Sequence, residues 1–483
     1  MMFTYVKKIA VIAPLIVVPL FGTIINVPGE QPTIQAGINA AASNDTILVA
    51  AGTYQENIHF HEKGLVVASH YIVDPDPMII EQTIIDGSSP MNPDTGSCVL
   101  IVSDSAYTTA DTSAALIGFT ITGGTGTKWL DEHGAGLYRE GGGILIQYLS
   151  PRIRHNIIRD NHITDQTGVT STGGGAIRCG DGNPDIANNI IAFNSALYGG
   201  GIVLNYTGAN VRNNIIAHNS AGDAYGGGGG LWILENGTHP KILNNNTIVY
   251  NSPGQYATGG GIRFWAASAT LRNNIIWDNE IAQILQTGGV VLITYSDIQG
   301  GHAGEGNIDA DPLFEAQNLY LSMNSPCIDG GDTSAVYNDP EDTLNPGYAL
   351  WPSLGLLRND MGAYGGPGST ILPDVPSSIE EDKTLQPPND RILLWSYPNP
   401  FEGRINIRYE IPSGHSTVRL IVYDIAGRRV RDLTNNLPAA AQEASVLWDG
   451  RDDKGNALSS GVYICTITTD KGNENRQVML LRE

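Results

Sequence analysis

The stretch "KWLDEHGAGLYREGGG", Lys128–Gly143, mixes acidic, basic and imidazole side chains within one short segment. Asp131, Glu132, His133, Arg139 and Glu140 bring acid, base and cation together, the set that proton transfer to and from a substrate requires. A solvated turn of mixed charge is the plainer reading of one such loop. "HFHE" puts His59 and His61 on one strand face, as metal ligands could be, although an exposed strand face accounts for them equally simply. "DGNPD", Asp181–Asp185, opens like a calcium loop but lacks the later glycine and glutamate, so it reads as an Asn/Asp turn. Cys98, Cys179, Cys327 and Cys465 lie 81, 148 and 138 residues apart. That spacing excludes a CxxC metal or redox motif and leaves buried, small apolar residues as the reading.

The elements that must position these groups repeat. "NIIRDN", "NIIAFN", "NIIAHN", "NTIVYN" and "NIIWDN" end at Asn161, Asn194, Asn219, Asn251 and Asn279, at intervals of 33, 25, 32 and 28 residues. Between them recur "GGGILI" at Gly141, "GGGAIR" at Gly173, "GGGIVL" at Gly199, "GGGGGLWI" at Gly226 and "GGGIRF" at Gly259. Repeats of this length signal a solenoid. Each apolar run is short, β-branched and bounded by Gly or Asn, which excludes helical repeats. Two or three strands per repeat describe one coil of a parallel β-helix, each strand pairing with its equivalent one coil away.

Stacking then predicts columns of like residues. Ile157, Ile190, Ile215 and Ile275 form one, and Ile158, Ile191, Ile216, Ile248 and Ile276 its neighbour. Corners bend the chain within a residue or two, often with φ > 0, which Asn and Gly tolerate best. Stacked amides can also bond along their column, so Asn161, Asn194, Asn219, Asn251 and Asn279 read as a structural ladder. Loops bulge from one corner, at Thr164–Thr172 and Gly222–Tyr225. "PTIQAGINAAA", Pro32–Ala42, sets Ile34, Ile38 and Ala41 on one face, as a helix plugging the first coil would.

The third column set carries a binding expectation. Counted after each glycine run, the second residue is Leu145, Ile177, Val203, Trp232 and Arg263, and the fourth is Gln147, Cys179, Asn205, Leu234 and Trp265. If the first and third face inward, Trp232, Arg263 and Trp265 stand outside on neighbouring coils. Flat rings along a regular surface could stack on sugars, with Arg263 pairing a uronate carboxylate. A loop covering these rings is the competing reading, and Arg178 in an inward column fits the facing poorly.

Composition bounds the partners. The chain of 483 residues has net charge −22, with only 27 Lys and Arg, so there is no basic stripe and nucleic acid is excluded as a partner. Glycine supplies 58 residues, well above the usual share of about 7 %, as many tight turns demand. At the start, Lys7 and Lys8 precede an apolar run from Ile9 to Phe21 broken by Pro14 and Pro19. That layout predicts a secretory signal peptide over 1–23, an uncleaved anchor being the alternative, and no other stretch could span a membrane.

The opening "DTILVAAGTYQENI", "LIGFTITGG" (Leu116–Gly124), the "NNII..N...GGGI" repeats, "DADPLF", "YLSMNSPCIDGGD" and "DMGAYGG" (Asp360–Gly366) resemble secreted bacterial right-handed β-helix proteins of the pectin-lyase-like superfold. The GGGI and FNSA pieces also resemble, less closely, chlamydial polymorphic outer-membrane proteins. The resemblance implies a β-helix over 24–366 but no single function, since the superfold hosts lyases, hydrolases, epimerases and adhesins. Its enzymes group Asp, Arg or Lys on one outward strand face, often with calcium. No metal ligands are assigned here and no cofactor is expected, calcium being the one ion the resemblance admits.

"PGSTILPDVPSSIEEDKTLQPPND", 367–390, is proline-rich and acidic and reads as a linker. Beyond it "INIRYEI" alternates, with Ile405, Ile407, Tyr409 and Ile411 on one face, and further strands make a small antiparallel Ig-like sandwich over 391–483. "YPNPF", "VYDIAGRRVRDL", "WDGRDDKGNALSSGVYICTI" and the terminal "RQVMLLR" resemble FlgD-like immunoglobulin modules and type IX secretion sorting domains. That resemblance implies export through secretion machinery and no catalysis. The expected fold class is therefore all-β: a right-handed parallel β-helix solenoid followed by a small antiparallel Ig-like β-sandwich. The expected role is that of a secreted or outer-surface protein binding polysaccharide or a cell-surface ligand. A polysaccharide lyase or glycoside hydrolase on an acidic glycan is one alternative, and an adhesin or structural surface protein another.

Overall fold

The computed structural model describes residues 22–103, 114–131, 133–234, 241–254, 259–315, 319–343, 345–375, 393–397, 401, 403–411, 418–424, 427–434, 443–470 and 472–482. The expected signal segment lies outside the described residues, apart from Gly22 and Thr23. The chain divides into two compact units, Met1–Ser378 and Ile379–Glu483. Among the described residues no helix is long and apolar enough to cross a membrane.

The first unit is a parallel β-helix. Three stacked sheets of ten, nine and eight strands run its length, and every neighbour pair within them is parallel. The register matches the repeat: Ile157 pairs Ile190, which pairs Ile215, and Ile158 pairs Ile191, which pairs Ile216. The second of these columns, with Ile248 and Ile276, points into the core beside Ile153, Ile177 and Ile202. The first points outward and is buried all the same. Leu319, Tyr364, Leu372 and Val375 join Ile157, Ile190 and Ile215 in a second cluster. The chain after the last coil therefore packs back over that face, with Asn213 Nδ2 donating to the carbonyls of Ala363 and Gly365. Leu372 and Val375 lie in the segment read as linker. Two buried apolar side chains suffice to hold it to the isoleucine column, so the packed part of this unit extends past Gly366.

The asparagine ladder runs as the repeat requires. Nδ2 of Asn161, Asn194, Asn219 and Asn251 each donates to Oδ1 of the next asparagine at 2.9, 2.9, 3.1 and 2.9 Å. A second ladder, Asn156, Asn189, Asn214, Asn246 and Asn274, follows the same rule at 3.1, 2.9, 3.1 and 3.0 Å. The bend itself falls one residue earlier than the ladder. Asn188 and Asn213 (φ 57° and 53°), and Phe193 and His218 (φ 57° and 56°), adopt the left-handed conformation, freeing the ladder amides to bond along the column.

The helix Ile34–Ala40 caps the first coil with Ile34, Ile38 and Ala41 buried. The Thr33 side chain accepts from the Ala36 N–H, and the Glu56 carboxylate accepts from the N–H groups of Ile34 and Gln35, both at 2.9 Å. Three otherwise orphaned donors of the first turn are thus satisfied.

The second unit holds two antiparallel sheets. One joins Leu393–Tyr397, Ile405–Glu410 and Glu443–Trp448; the other joins Arg429–Asp432, Arg419–Asp424, Gly461–Thr468 and Asn473–Leu480. Ile405, Ile407, Tyr409 and Ile411 are all buried, as their alternation predicts. They share a core with Trp448, Cys465 and Phe401.

Candidate functional site

The third solenoid sheet includes Ile144–Gln147, Ile177–Gly180, Ile202–Asn205, Leu231–Leu234 and Ile262–Trp265. Its inward residues are Ile144 and Ile146, Ile177 and Cys179, Ile202 and Leu204, and so on. The outward column is Leu145, Arg178, Val203, Trp232 and Arg263. Counting from the glycine run places Ile177 there, which is one residue off. Ala176 takes the place that Gly143 and Gly201 occupy in the neighbouring coils, so Arg178 is outward and the inward cysteine is Cys179. Gly174, two residues before Ala176, sits at φ 66° and makes the corner.

An antiparallel hairpin, Gly126–Leu130 with Leu137–Glu140, belongs to a separate sheet. Alternation along Leu137–Glu140 decides the fate of the charged loop. Tyr138 and Glu140 line a cleft of about 350 Å³, whereas Arg139 turns away from it. The Arg139 guanidinium is buried and donates to the carbonyl of Pro93 at 2.7 Å and the carboxylate of Asp165 at 2.9 Å. Asp131 and His133 also line the cleft; Glu132 lies outside the described residues. Trp232 and Trp265 complete it from the sheet, so the loop and the aromatic columns converge on one place.

The cleft wall is aromatic. Tyr198 meets Trp232 at 5.0 Å and 64°, and Tyr225 meets Trp265 at 6.3 Å and 85°, edge to face in both cases. The Tyr138 hydroxyl lies 3.0 Å from that of Tyr225. Trp232 is only 5 % exposed, because Tyr225, at the tip of the Gly222–Tyr225 bulge, covers it and its carbonyl accepts the indole N–H at 3.3 Å. Trp265 is 38 % exposed and is the open ring. Arg263 lies beneath it, its guanidinium carbon 4.8 Å from the ring centroid. That guanidinium already donates to Thr287 Oγ1 at 2.8 Å, and Arg263 is 5 % exposed. It supports the ring rather than facing a ligand.

A polar chain runs behind the wall. Glu140, 2 % exposed, accepts from the Tyr198 hydroxyl and pairs with Arg178 Nε at 2.9 Å. Arg178 donates in turn to Gln147, whose amide donates to Asp181 at 2.9 Å. Asp181 Oδ1 lies 3.0 Å from His133 Nε2, and the His133 ring stacks on Tyr206 at 3.7 Å. Burial, and then the charge of Glu140, hold the Tyr198 phenol protonated far above its ordinary range, so it stays a donor. Asp181 occupies a left-handed turn (φ 53°), so "DGNPD" is a turn whose first carboxylate orients a cleft histidine.

Sequence reasoning missed Tyr138, Tyr198, Tyr225, Arg178 and Asp181. Arg178 had left a signal there as the charge that did not fit its assumed column, and Asp181 as the first carboxylate of "DGNPD", but neither was tied to the cleft. His59 and His61 have rings 4.2 Å apart, but the strand ends at His59 and His61 sits in a left-handed turn (φ 51°). Among the described residues no group of three His, Cys, Asp or Glu is placed to hold a metal ion. All four cysteines are buried and unbridged.

Residues 106–298 match the model of the right handed beta helix region family, and residues 400–473 match that of the FlgD Ig-like domain. No curated protein matches the chain. A solved structure from "Structural and functional probing of PorZ, an essential bacterial surface component of the type-IX secretion system of human oral-microbiomic Porphyromonas gingivalis" is similar at 21 % identity, with a TM-score of 0.14. That similarity covers 18 % of this chain and 11 % of the other. Stacked parallel sheets and both family matches identify this chain as a right-handed β-helix followed by an Ig-like module.

Proposed function

We propose that the protein acts outside the cell or on its outer surface as a glycan-binding β-helix, with the aromatic cleft beside Trp265 as its binding groove. The observation that carries this reading is the exposed Trp265 ring, braced from below by Arg263 and flanked edge-on by Tyr225 at the mouth of a 350 Å³ cleft. Rigid rings with one face open offer a sugar its apolar face at low entropic cost. The signal-like start and sorting-like C-terminal module support export. The test is a glycan array probed with the full chain and with Trp265→Ala. Binding lost by at least about tenfold in the variant, the scale of one aromatic stacking contact, supports the reading. An array on which neither protein binds, or both bind alike, overturns it.

His133 favours a second reading, a glycan-cleaving enzyme. An imidazole held by a carboxylate and stacked on Tyr206 at the edge of a cleft is the arrangement of a positioned general base. New reducing ends or ultraviolet absorbance from a polysaccharide panel, lost in His133→Ala, would establish it. A panel left intact removes it without touching the binding reading.

A further inference from the structure

The groups facing the cleft also specify charge. We propose that the groove selects a saccharide carrying positive charge, an amino sugar, and rejects uronates; this rests on the glycan-binding reading above. Three arginines approach the cleft, and each is committed elsewhere. Arg139 turns away to Pro93 and Asp165, Arg178 is 1 % exposed behind Glu140, and Arg263 is bound to Thr287 beneath Trp265. A ligand carboxylate entering the cleft would meet no arginine or lysine among the described residues that line it.

What lines the cleft is negative or π-rich. Asp131 stands there with one carboxylate oxygen accepting the Ala135 N–H at 3.1 Å and its second oxygen in no hydrogen bond to the described residues. Glu140 lies deeper, its charge balanced by Arg178. His133 is tied to Asp181, which adds a further carboxylate behind it. The faces of Trp265, Tyr225 and Tyr138 carry the negative side of the ring quadrupole, which attracts an ammonium and repels a carboxylate. A carboxylate and aromatic rings converging on one cleft, whose described lining holds no arginine or lysine, match the chemistry of a protonated 2-amino-2-deoxyhexose. The same cleft gives a neutral sugar stacking alone and gives a uronate a penalty.

The experiment is isothermal titration of the full chain with three hexamers: β-1,4-glucosamine, its fully N-acetylated form and oligogalacturonate. The glucosamine hexamer should bind at least about tenfold tighter than the acetylated one, the scale of a cation on an aromatic face, and oligogalacturonate should give no heat. Asp131→Asn should weaken the glucosamine hexamer most, so that the ratio of its affinity to that of the acetylated hexamer falls toward one. Equal affinity for the charged and acetylated hexamers, or tighter binding of oligogalacturonate, overturns the charge inference and leaves the glycan reading standing. Absence of binding by all three, with an empty glycan array, defeats both.

Discussion

The Glu140 carboxylate and the Arg178 guanidinium face one another at 2.9 Å, and both side chains are almost wholly withdrawn from water. They join the hairpin to the solenoid sheet at the floor of the cleft. Two charges so buried are tolerated only together, because the desolvation of either alone is uncompensated.

Removing one partner should therefore cost more than removing both. Arg178→Met should lower stability by about 3–5 kcal/mol, and Glu140→Gln/Arg178→Met by clearly less. Urea denaturation followed by circular dichroism measures the difference. A double variant no better than the single one would mean that the pair does not act as a unit.

The asparagine ladder makes a second prediction. The Asn219 amide donates to Asn251 and to the carbonyl of Ile191, and it accepts from Asn194. Asn219→Ala removes these bonds together with those to the Ala217 carbonyl and the Asn194 N–H, and should cost about 2–4 kcal/mol, each stranded group contributing about 1–3 kcal/mol before relaxation. A loss under 1 kcal/mol in the same denaturation assay would show that the ladder is ornamental.

How far the sequence could see follows from which contacts repeat. Ile158, Ile191 and Ile216 recur in every coil, so their stacking was legible, as was the ladder through Asn161. The second ladder, through Asn156 and Asn189, was written in the same repeat and differs only in which asparagine one aligns. The cleft was half legible. Trp232 and Trp265 stood out as aromatics in a regular column, and Asp131, His133 and Glu140 as a charged loop. Nothing local says that a hairpin brings Tyr138 to Trp232, or that Tyr225 folds back over it. Those placements come from single, non-repeating loops whose partners lie up to about a hundred residues away, and periodicity carries no information about them. Ala176 in place of a glycine shifted one coil by a residue and hid Arg178. Leu372 was obscured for a related reason: an outward isoleucine column accepts any apolar segment long enough to reach it.

That same segment gives a third prediction. Leu372 is 3 % exposed within the cluster around Ile190 and Ile215. Leu372→Ala should cost about 2–4 kcal/mol as a cavity-forming change. Thermal denaturation of the first unit reads it, and an unchanged midpoint would mean that the segment merely rests on the surface.

Buried carboxylates set the pH response. Burial, aided by the neighbouring charge of Asp360, pushes the Asp339 carboxyl well above the ordinary range, burial raises its partner Asp360 as well, and burial pushes Asp297 up to about 6. A carboxyl whose folded pKa exceeds its unfolded value of about 4 contributes stability that is full below that value and lost as pH rises through the folded pKa. The solenoid should thus melt at a higher temperature at pH 5 than at pH 9, and Asp339→Asn should flatten the slope. Asp45 acts oppositely, since backbone N–H groups of Ala42 and Thr23 hold its carboxyl low, and its contribution fades only as pH falls below the ordinary carboxylate range. Scanning calorimetry across this range decides the sign; stability that rises from pH 5 to pH 9 would contradict it.

The most direct measurement is a crystal structure of the full chain soaked with glucosamine hexamer. A pyranose ring stacked on Trp265, with its ammonium against Asp131, is the predicted result. An empty cleft with the sugar bound on another face, or a sugar in the cleft with its amine turned away from Asp131 and the rings, would contradict the central claim.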